Sequence, residues 1–235
     1  MSFLKAEWRK LVLANYIIEP HCLEKYLPFK TELDLWEGNC YVSLVGFMFK
    51  NTRLLGLKIP FHVNFEEVNL RFYVRYHNGA EWRRGVVFIK EIVPKPALSL
   101  VANTFYREHY QTLPMRHEWQ ETDSELKISY AWKYHQKWQS MRVIADRKAN
   151  PIQPGTETEF ITEHYWGYTK LNEHATKEYQ VVHPTWEAYP VNHWEINVDF
   201  GLVYGPDFSD LTLKAPHSVI LAEGSEISVE KTRRI

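Results

Sequence analysis

A chain of 235 residues, 45% hydrophobic and 24% charged, is long enough to bury a substantial core as one globular all-β domain. Its 28 basic and 29 acidic residues leave a net charge of −1, which excludes the basic field of a nucleic-acid binder and the polybasic block of an anionic-membrane binder. Two cysteines, Cys22 and Cys40, with no CxxC spacing exclude a disulfide framework and a cysteine zinc site; they read as reduced thiols of a cytoplasmic protein.

The first ten residues carry charges within their apolar run and lack a small-residue cleavage site, so no signal peptide is read there. No apolar stretch has the length to span a bilayer, and both features point to the cytoplasm. Residues 3–10 are predicted to open as a short helix with Phe3, Leu4 and Trp8 on one side, and the β-branched run 11–18 as a strand. Pro20 starts a short helix over 20–26 that Pro28 stops. A turn near 34–39 precedes a strand at 41–49. The clearest strand is 67–76, followed at once by the Asn78-Gly79 turn signal and an apolar return strand at 85–92. Either that loop exceeds a minimal hairpin or the return strand begins before Gly85. Ala97, Leu98, Val101, Ala102 and Phe105 at helical spacing predict a helix over 94–106.

Residues 127–134 alternate, with Ile128, Tyr130, Trp132 and Tyr134 facing one way, as in a half-buried antiparallel strand; 138–146 is the predicted partner. That aromatic stripe reads as core. Thr156 begins a helix with an acidic first turn. Short strands are predicted at 165–169, 179–183 and 194–203. A final hairpin pairs 218–221 with 227–230 around Glu223-Gly224-Ser225. With no internal repeat or long linker, the chain reads as one domain over residues 1–235: mainly β (a β-rich α+β class), antiparallel, with few short helices, and best accommodated by a barrel.

On strand 67–75 the side chains of Glu67, Asn69, Arg71, Tyr73 and Arg75 share one face, and Val68, Leu70, Phe72 and Val74 the other. The polar face fits a solvated surface with cross-strand ion pairs, or the lining of a polar cavity. In a cavity, Glu67 and Arg71 hold each other in register and are the candidate catalytic pair. Glu67 is an acid or base if desolvation raises its pKa, and Arg71 or Arg75 grips a carboxylate with its fork of donors. Asn69, Tyr73 and Arg75 are then ligand-binding candidates. Tyr106 and Arg107, at the end of the predicted 94–106 helix, join them as carboxylate holders. His183, which precedes Pro184, reads as a ligand contact or as a structural histidine at a strand end.

The run Glu67-Val-Asn-Leu-Arg-Phe-Tyr-Val-Arg75 with Gly85-Val-Val-Phe88 resembles the signature hairpin of the uncharacterised bacterial YqjF-like family. Leu113-Pro114-Met115, Phe160-Ile-Thr-Glu-His-Tyr165 and Val182-His183-Pro184-Thr185-Trp186 are similar to later segments of that family, in the same order. The resemblance implies an acetoacetate decarboxylase-like fold, a cone-like, mostly antiparallel β-barrel around a polar pocket, and so favours the cavity reading. The Schiff-base lysine of a decarboxylase has no counterpart in the comparable stretch 101–110; Lys90 and Lys95 lie nearby but outside the matching motif.

Eleven histidines are scattered without an HExxH or a close His/Cys cluster, so no metal is assigned. No GxSxG, P-loop or GxGxxG follows a strand, and no cofactor is assigned. The expectation is a cavity for a small organic anion, with no nucleic-acid or membrane partner. The competing reading is a non-catalytic structural or interaction protein, with its many Trp and Tyr buried in a homodimer.

Overall fold

The computed structural model of the chain describes residues 2–101, 103 and 109–235. Two sheets dominate. In the larger, β1 (Leu4–Ile17), β3 (Tyr41–Leu54), β4 (Phe65–His77) and β5 (Trp82–Val93) lie side by side, each antiparallel to the next. β15 (Ser218–Val229) pairs with the free edge of β1, and β11 (Trp166–Asn172) runs parallel to β5. β12 (Ala175–Val182) pairs with β11 and also meets β15 through Val181–Val229 and Val182–Ser228. The path β15–β1–β3–β4–β5–β11–β12 therefore returns to β15, a closed circuit that gives each of these strands two neighbours. Short strands extend it: β2 (Glu32–Leu33) on β4, β6 (Tyr110–Thr112) on β5, β10 (Asn150–Pro151) on β13 (Glu187–Tyr189), β13 on β15, and β16 (Arg233–Arg234) on β12.

The smaller sheet is a four-stranded antiparallel layer ordered β14 (Val191–Asn197), β9 (Lys137–Asp146), β8 (Glu125–Tyr134), β7 (Met115–Glu121). Its buried side chains, Ile128, Tyr130, Trp132, Met141 and Val143, share one core with Val68, Leu70 and Phe72 of β4 and Leu44 of β3. The alternation read from residues 127–134 is thus the inner face of this layer. A second cluster, including Leu11, Leu13, Val45, Phe47, Phe49, Tyr73 and Val181, lies on the opposite faces of the same strands, inside the circuit. The two faces of β4 read from the sequence point into these two clusters.

Three short α-helices are described: α1 (Pro96–Val101), α2 (Glu157–Thr162) and α3 (Phe200–Tyr204). α2 starts at Thr156, whose side chain accepts from Glu159 N, and it buries Phe160 and Ile161 in the interior cluster. Of the predicted 94–106 helix, α1 is the described part; residues 102 and 104–108 lie outside the described residues. No described helix is long and apolar enough to cross a membrane.

Several boundaries differ from the sequence reading. Of residues 3–10, 4–10 are strand, not helix, because β1 pairs on both edges and that pairing outweighs the local propensity of Lys, Ala and Glu. The 20–26 segment is two 3-10 turns, Pro20–Cys22 and Glu24–Tyr26. The return strand after β4 begins at Trp82, and Asn78 Oδ1 accepts from the backbone N–H groups of Ala80 and Glu81 in the loop. Residues 194–203 split into β14 and α3, with Asp199 capping Leu202 N. The predicted 218–230 hairpin is one continuous strand. Gly224 adopts φ +80 and kinks it without reversing it, while Lys10 opposite takes φ 54. The Lys10 carbonyl is bound by the Tyr130 hydroxyl at 2.8 Å, so the kink is tied to the second sheet.

Candidate functional site

Glu67, Asn69, Arg71 and Tyr73 are all less than a tenth exposed and lie on the inner side of the strand circuit. A cavity of about 370 Å³ occupies that interior, with Glu67, Asn69 and Arg71 in its wall. The polar face of β4 is therefore not a solvated surface. Arg75 departs from the expectation. It lies near the end of β4, where its guanidinium pairs with Glu32 at 2.6 Å with both side chains about half exposed. Tyr73 faces inward but does not line the cavity. Its hydroxyl is 2.6 Å from Ser43 Oγ, which donates to Asn15 Oδ1 at 2.6 Å, and its ring packs on His164 at 4.7 Å. Tyr106 and Arg107 lie outside the described residues.

Glu67 is held by its neighbours on the wall. Asn69 Nδ2 donates to one carboxylate oxygen at 2.9 Å, and the Tyr110 hydroxyl donates to the other at 3.2 Å. The expected pairing of Glu67 with Arg71 is not present. Four residues on an extended strand separate two side chains by about 13 Å, and Asn69 stands between them. Arg71 instead donates from a terminal nitrogen to the Ile161 carbonyl at 3.3 Å, its guanidinium 5.6 Å from the Tyr73 ring centroid. No carboxylate of the described residues lies within ion-pair distance of Arg71, and its Nε is buried without a partner.

β5 supplies Glu91, Phe88 and Val86 to the same wall. Strict alternation from Glu91 would place Ile89 next on the inner face. The register slips between Leu70–Lys90 and Arg71–Phe88, which marks a bulge on β5. The bulge turns both Ile89 and Lys90 away from the cavity. Lys90 Nζ bonds the Val203 carbonyl and lies 5.2 Å from the Tyr134 ring centroid. Burial pushes its ammonium pKa down, but it sits on the opposite side of the sheet from the cavity. No lysine lines the cavity, and none stands in the sequence at positions 102 or 104–108.

The far wall brings two histidines. His183 lines the cavity, as expected, and is also built into the wall: Nδ1 donates to the Pro184 carbonyl at 2.9 Å and the ring stacks on Trp186 at 4.4 Å. Burial holds its imidazole below the usual value. His164, which the sequence reading did not single out, donates from Nε2 to Asp34 Oδ2 at 3.1 Å, and Arg84 Nε reaches the same oxygen at 2.6 Å. Burial works to raise the Asp34 carboxyl, but these two hydrogen bonds outweigh it and hold the group below its usual range. Burial pushes His164 down to about 4 against the pull of Asp34, with Arg84 and Arg71 adding to the effect. The imidazole is neutral at pH 7, with its lone pair on Nδ1. Among the described residues Trp8 Nε1, Thr52 Oγ1, Asn69 Oδ1, Arg71 Nε and His164 Nδ1 are buried with no partner, and all five residues line the cavity. Each such atom costs about 1–3 kcal/mol, so their gathering in one place marks a site rather than a core.

Of the residues the sequence reading missed, Glu91 had a legible signal as the only acid in the apolar run 85–92. Trp8 and His164 had none, because nothing local ties them to β4. No group of three His, Cys, Asp or Glu side chains among the described residues is arranged to hold a metal ion.

The strand circuit around an interior cavity is the fold of the acetoacetate decarboxylase-like proteins. The chain superposes on acetoacetate decarboxylase from Legionella pneumophila with TM-score 0.67 at 12% identity, covering 99% of this chain and 86% of that one. It superposes on an acetoacetate decarboxylase-like enzyme from Sphingomonas wittichii RW1 with TM-score 0.65 at 10% identity, over 100% and 94%. The enduracididine biosynthesis enzyme MppR, in complex with pyruvate, gives 0.66 at 11% identity, over 100% and 91%. The chain belongs to the DUF2071 family, described as an uncharacterized conserved protein, whose model matches residues 5–226. A curated relative, the uncharacterized protein YqjF of Bacillus subtilis, is 28% identical over 116 residues, covering 49% of this chain and 46% of YqjF.

Proposed function

We propose that the interior cavity binds a small organic anion, with Arg71 as the anchor for its carboxylate. The observation that carries this reading is the state of Arg71. A guanidinium 8% exposed, with no carboxylate partner among the described residues, bears a desolvation cost of several kcal/mol that an anionic ligand would offset. Its planar fork matches a carboxylate in two parallel hydrogen bonds. Two fold neighbours support the ligand class, one named for acetoacetate and one complexed with pyruvate. The reading differs from a Schiff-base decarboxylase, because the cavity has no lysine to form the imine. Glu67, held by Asn69 and Tyr110 on the same wall, is the group placed to exchange a proton with a bound ligand.

Titration calorimetry of the protein with a panel of carboxylates and their matched primary amides tests this. Carboxylates are expected to bind, the amides at least tenfold more weakly, and Arg71→Met to lose the difference. Equal affinity for acid and amide, or an unchanged response in the variant, would overturn the reading.

A further inference from the structure

The cavity's size and the layout of its walls say more about the ligand than its charge. We propose that the occupant is an amphipathic carboxylate with an aryl or medium-chain alkyl portion, of about ten to fifteen non-hydrogen atoms, rather than a keto acid of pyruvate size. The inference rests on the anion reading above and adds the chemistry of the rest of the molecule.

The first argument is volume. An apolar protein cavity of about 150 Å³ holds benzene, six carbons. A cavity of about 370 Å³ has two and a half times that room, and scales to roughly fifteen heavy atoms. A ligand of six or seven atoms would leave more than half of the wall uncontacted and forfeit the dispersion energy of those surfaces.

The second argument is polarity along the long direction. Arg71 sits midway along β4, opposite Ser43, as the last residue of that strand to line the cavity, and Phe65 starts the strand, opposite Phe49, six residues or about 20 Å away, with Asn69 and Glu67 between them. Beside β4, on the neighbouring strands β3 and β1, Phe47, Phe49 and Trp8 form one continuous aromatic wall. The Trp8 and Phe47 centroids are 5.4 Å apart, Phe47 and Phe49 5.3 Å, and Phe49 and Phe65 4.7 Å. A carboxylate on Arg71 therefore directs the remainder of its molecule along aromatic surface. Beyond Phe65, Ile59 and His62 line the cavity, and Phe61 beside them is 88% exposed.

The test is calorimetry on the wild-type protein with straight-chain acids from acetate to dodecanoate, with phenylpropionate, pyruvate, acetoacetate and octanol. Each methylene buried is expected to tighten binding about fourfold, from butyrate to a length near ten carbons, where the gain stops. Phenylpropionate should fall with the mid-length acids. Val45→Phe, which adds bulk to the cavity wall, is expected to move the plateau two or three carbons shorter, with circular dichroism reporting that it folds. Pyruvate or acetoacetate binding as tightly as octanoate overturns the tail and leaves the anion reading standing. Octanol binding as tightly as octanoate overturns the anion reading and the proposal with it. An affinity independent of chain length also overturns the proposal.

Discussion

Arg71 and His164 are the two residues where the fold works against its own stability. Arg71 is buried with one weak hydrogen bond among the described residues, to Ile161, so replacing it by an apolar side chain should help the ligand-free protein. Arg71→Met keeps most of the side-chain volume and is expected to raise stability by about 1–3 kcal/mol while abolishing carboxylate binding. Urea unfolding without ligand measures the first effect, and a loss of stability on removing the charge would show that Arg71 is structural. His164 gives the opposite kind of signature. Its folded pKa, about 4, lies below the value of about 6.5 expected when unfolded. Between those values the unfolded chain takes up a proton that the folded chain refuses. Stability is therefore complete above pH 6.5 and falls as the pH drops, by about 1.4 kcal/mol per unit and about 3 kcal/mol in all by pH 4. His183, also held down by burial, acts in the same direction, and Asp34 adds its loss at lower pH. Urea midpoints at pH 7, 5.5 and 4.5 should fall on acidification for wild type and fall less steeply for His164→Gln. Parallel pH profiles would remove His164 as the source.

At the scale of the element, three strands change the face that points inward partway along their length. β1 sends Leu4, Ala6 and Trp8 inward, then Leu11 and Leu13, with Lys10 at φ 54 between them. β15 opposite sends Ile220 and Ala222, then Ile227 and Val229, with the switch at Gly224. β5 does the same at Ile89 and Lys90, through its bulge. Each switch bends its strand and lets the circuit close around an interior wide enough for a ligand. Gly224 is the least replaceable of these positions. It holds φ +80, and a Cβ there would lie 2.1 Å from the Trp8 carbonyl oxygen. Gly224→Ala must strain the backbone and displace β1, and is expected to cost at least about 2 kcal/mol and several degrees in Tm. Differential scanning calorimetry decides it, and a Tm within a degree of wild type would mean that the paired strands relax freely.

For the whole molecule, the outer faces of β3 and β4 and the inner face of the β7–β8–β9–β14 layer form one core, so the smaller sheet has no apolar interior of its own to retain when the larger one opens, and the larger would lose the cover of its outer face. The Tyr130 hydroxyl on the Lys10 carbonyl adds a polar tie between them. Trp132, fully buried in this core, should report loss of the interface in its fluorescence. Unfolding followed by Trp fluorescence and by far-UV circular dichroism is expected to give coincident curves with a single midpoint. Two separated transitions would mean that residues 1–235 fold as more than one unit. Trp132→Ala is expected to lower stability by about 3–5 kcal/mol and to keep the transition single.

The sequence by itself determined the strands whose alternation is unbroken. In β4 and β8 a strict period of two separates apolar from polar or half-buried positions, so the faces were legible before any tertiary contact was known. It also determined that residues 101–110 contain no lysine, because that is a matter of residue identity. Only the tertiary structure decided the rest. Register shifts in β1 and β5 and the kink at Gly224 in β15 change the parity of these strands, so residues 3–10 looked helical, Gly224 looked like the tip of a hairpin, and Glu91 stood out as an acid without a face to share with Asn69. Arg75 could not be separated from Arg71 by pattern, since both obey the same alternation and differ only in where the strand leaves the enclosed interior. His164 and Trp8 meet the β4 wall across sequence separations of about ninety and sixty residues, and no local period encodes such a meeting. The polar row on β4 was visible as a row. That Glu67, Asn69 and Arg71 of this row line a cavity, with Arg71 lacking a carboxylate partner among the described residues and an aromatic wall beside it, follows from closure of the sheet on itself.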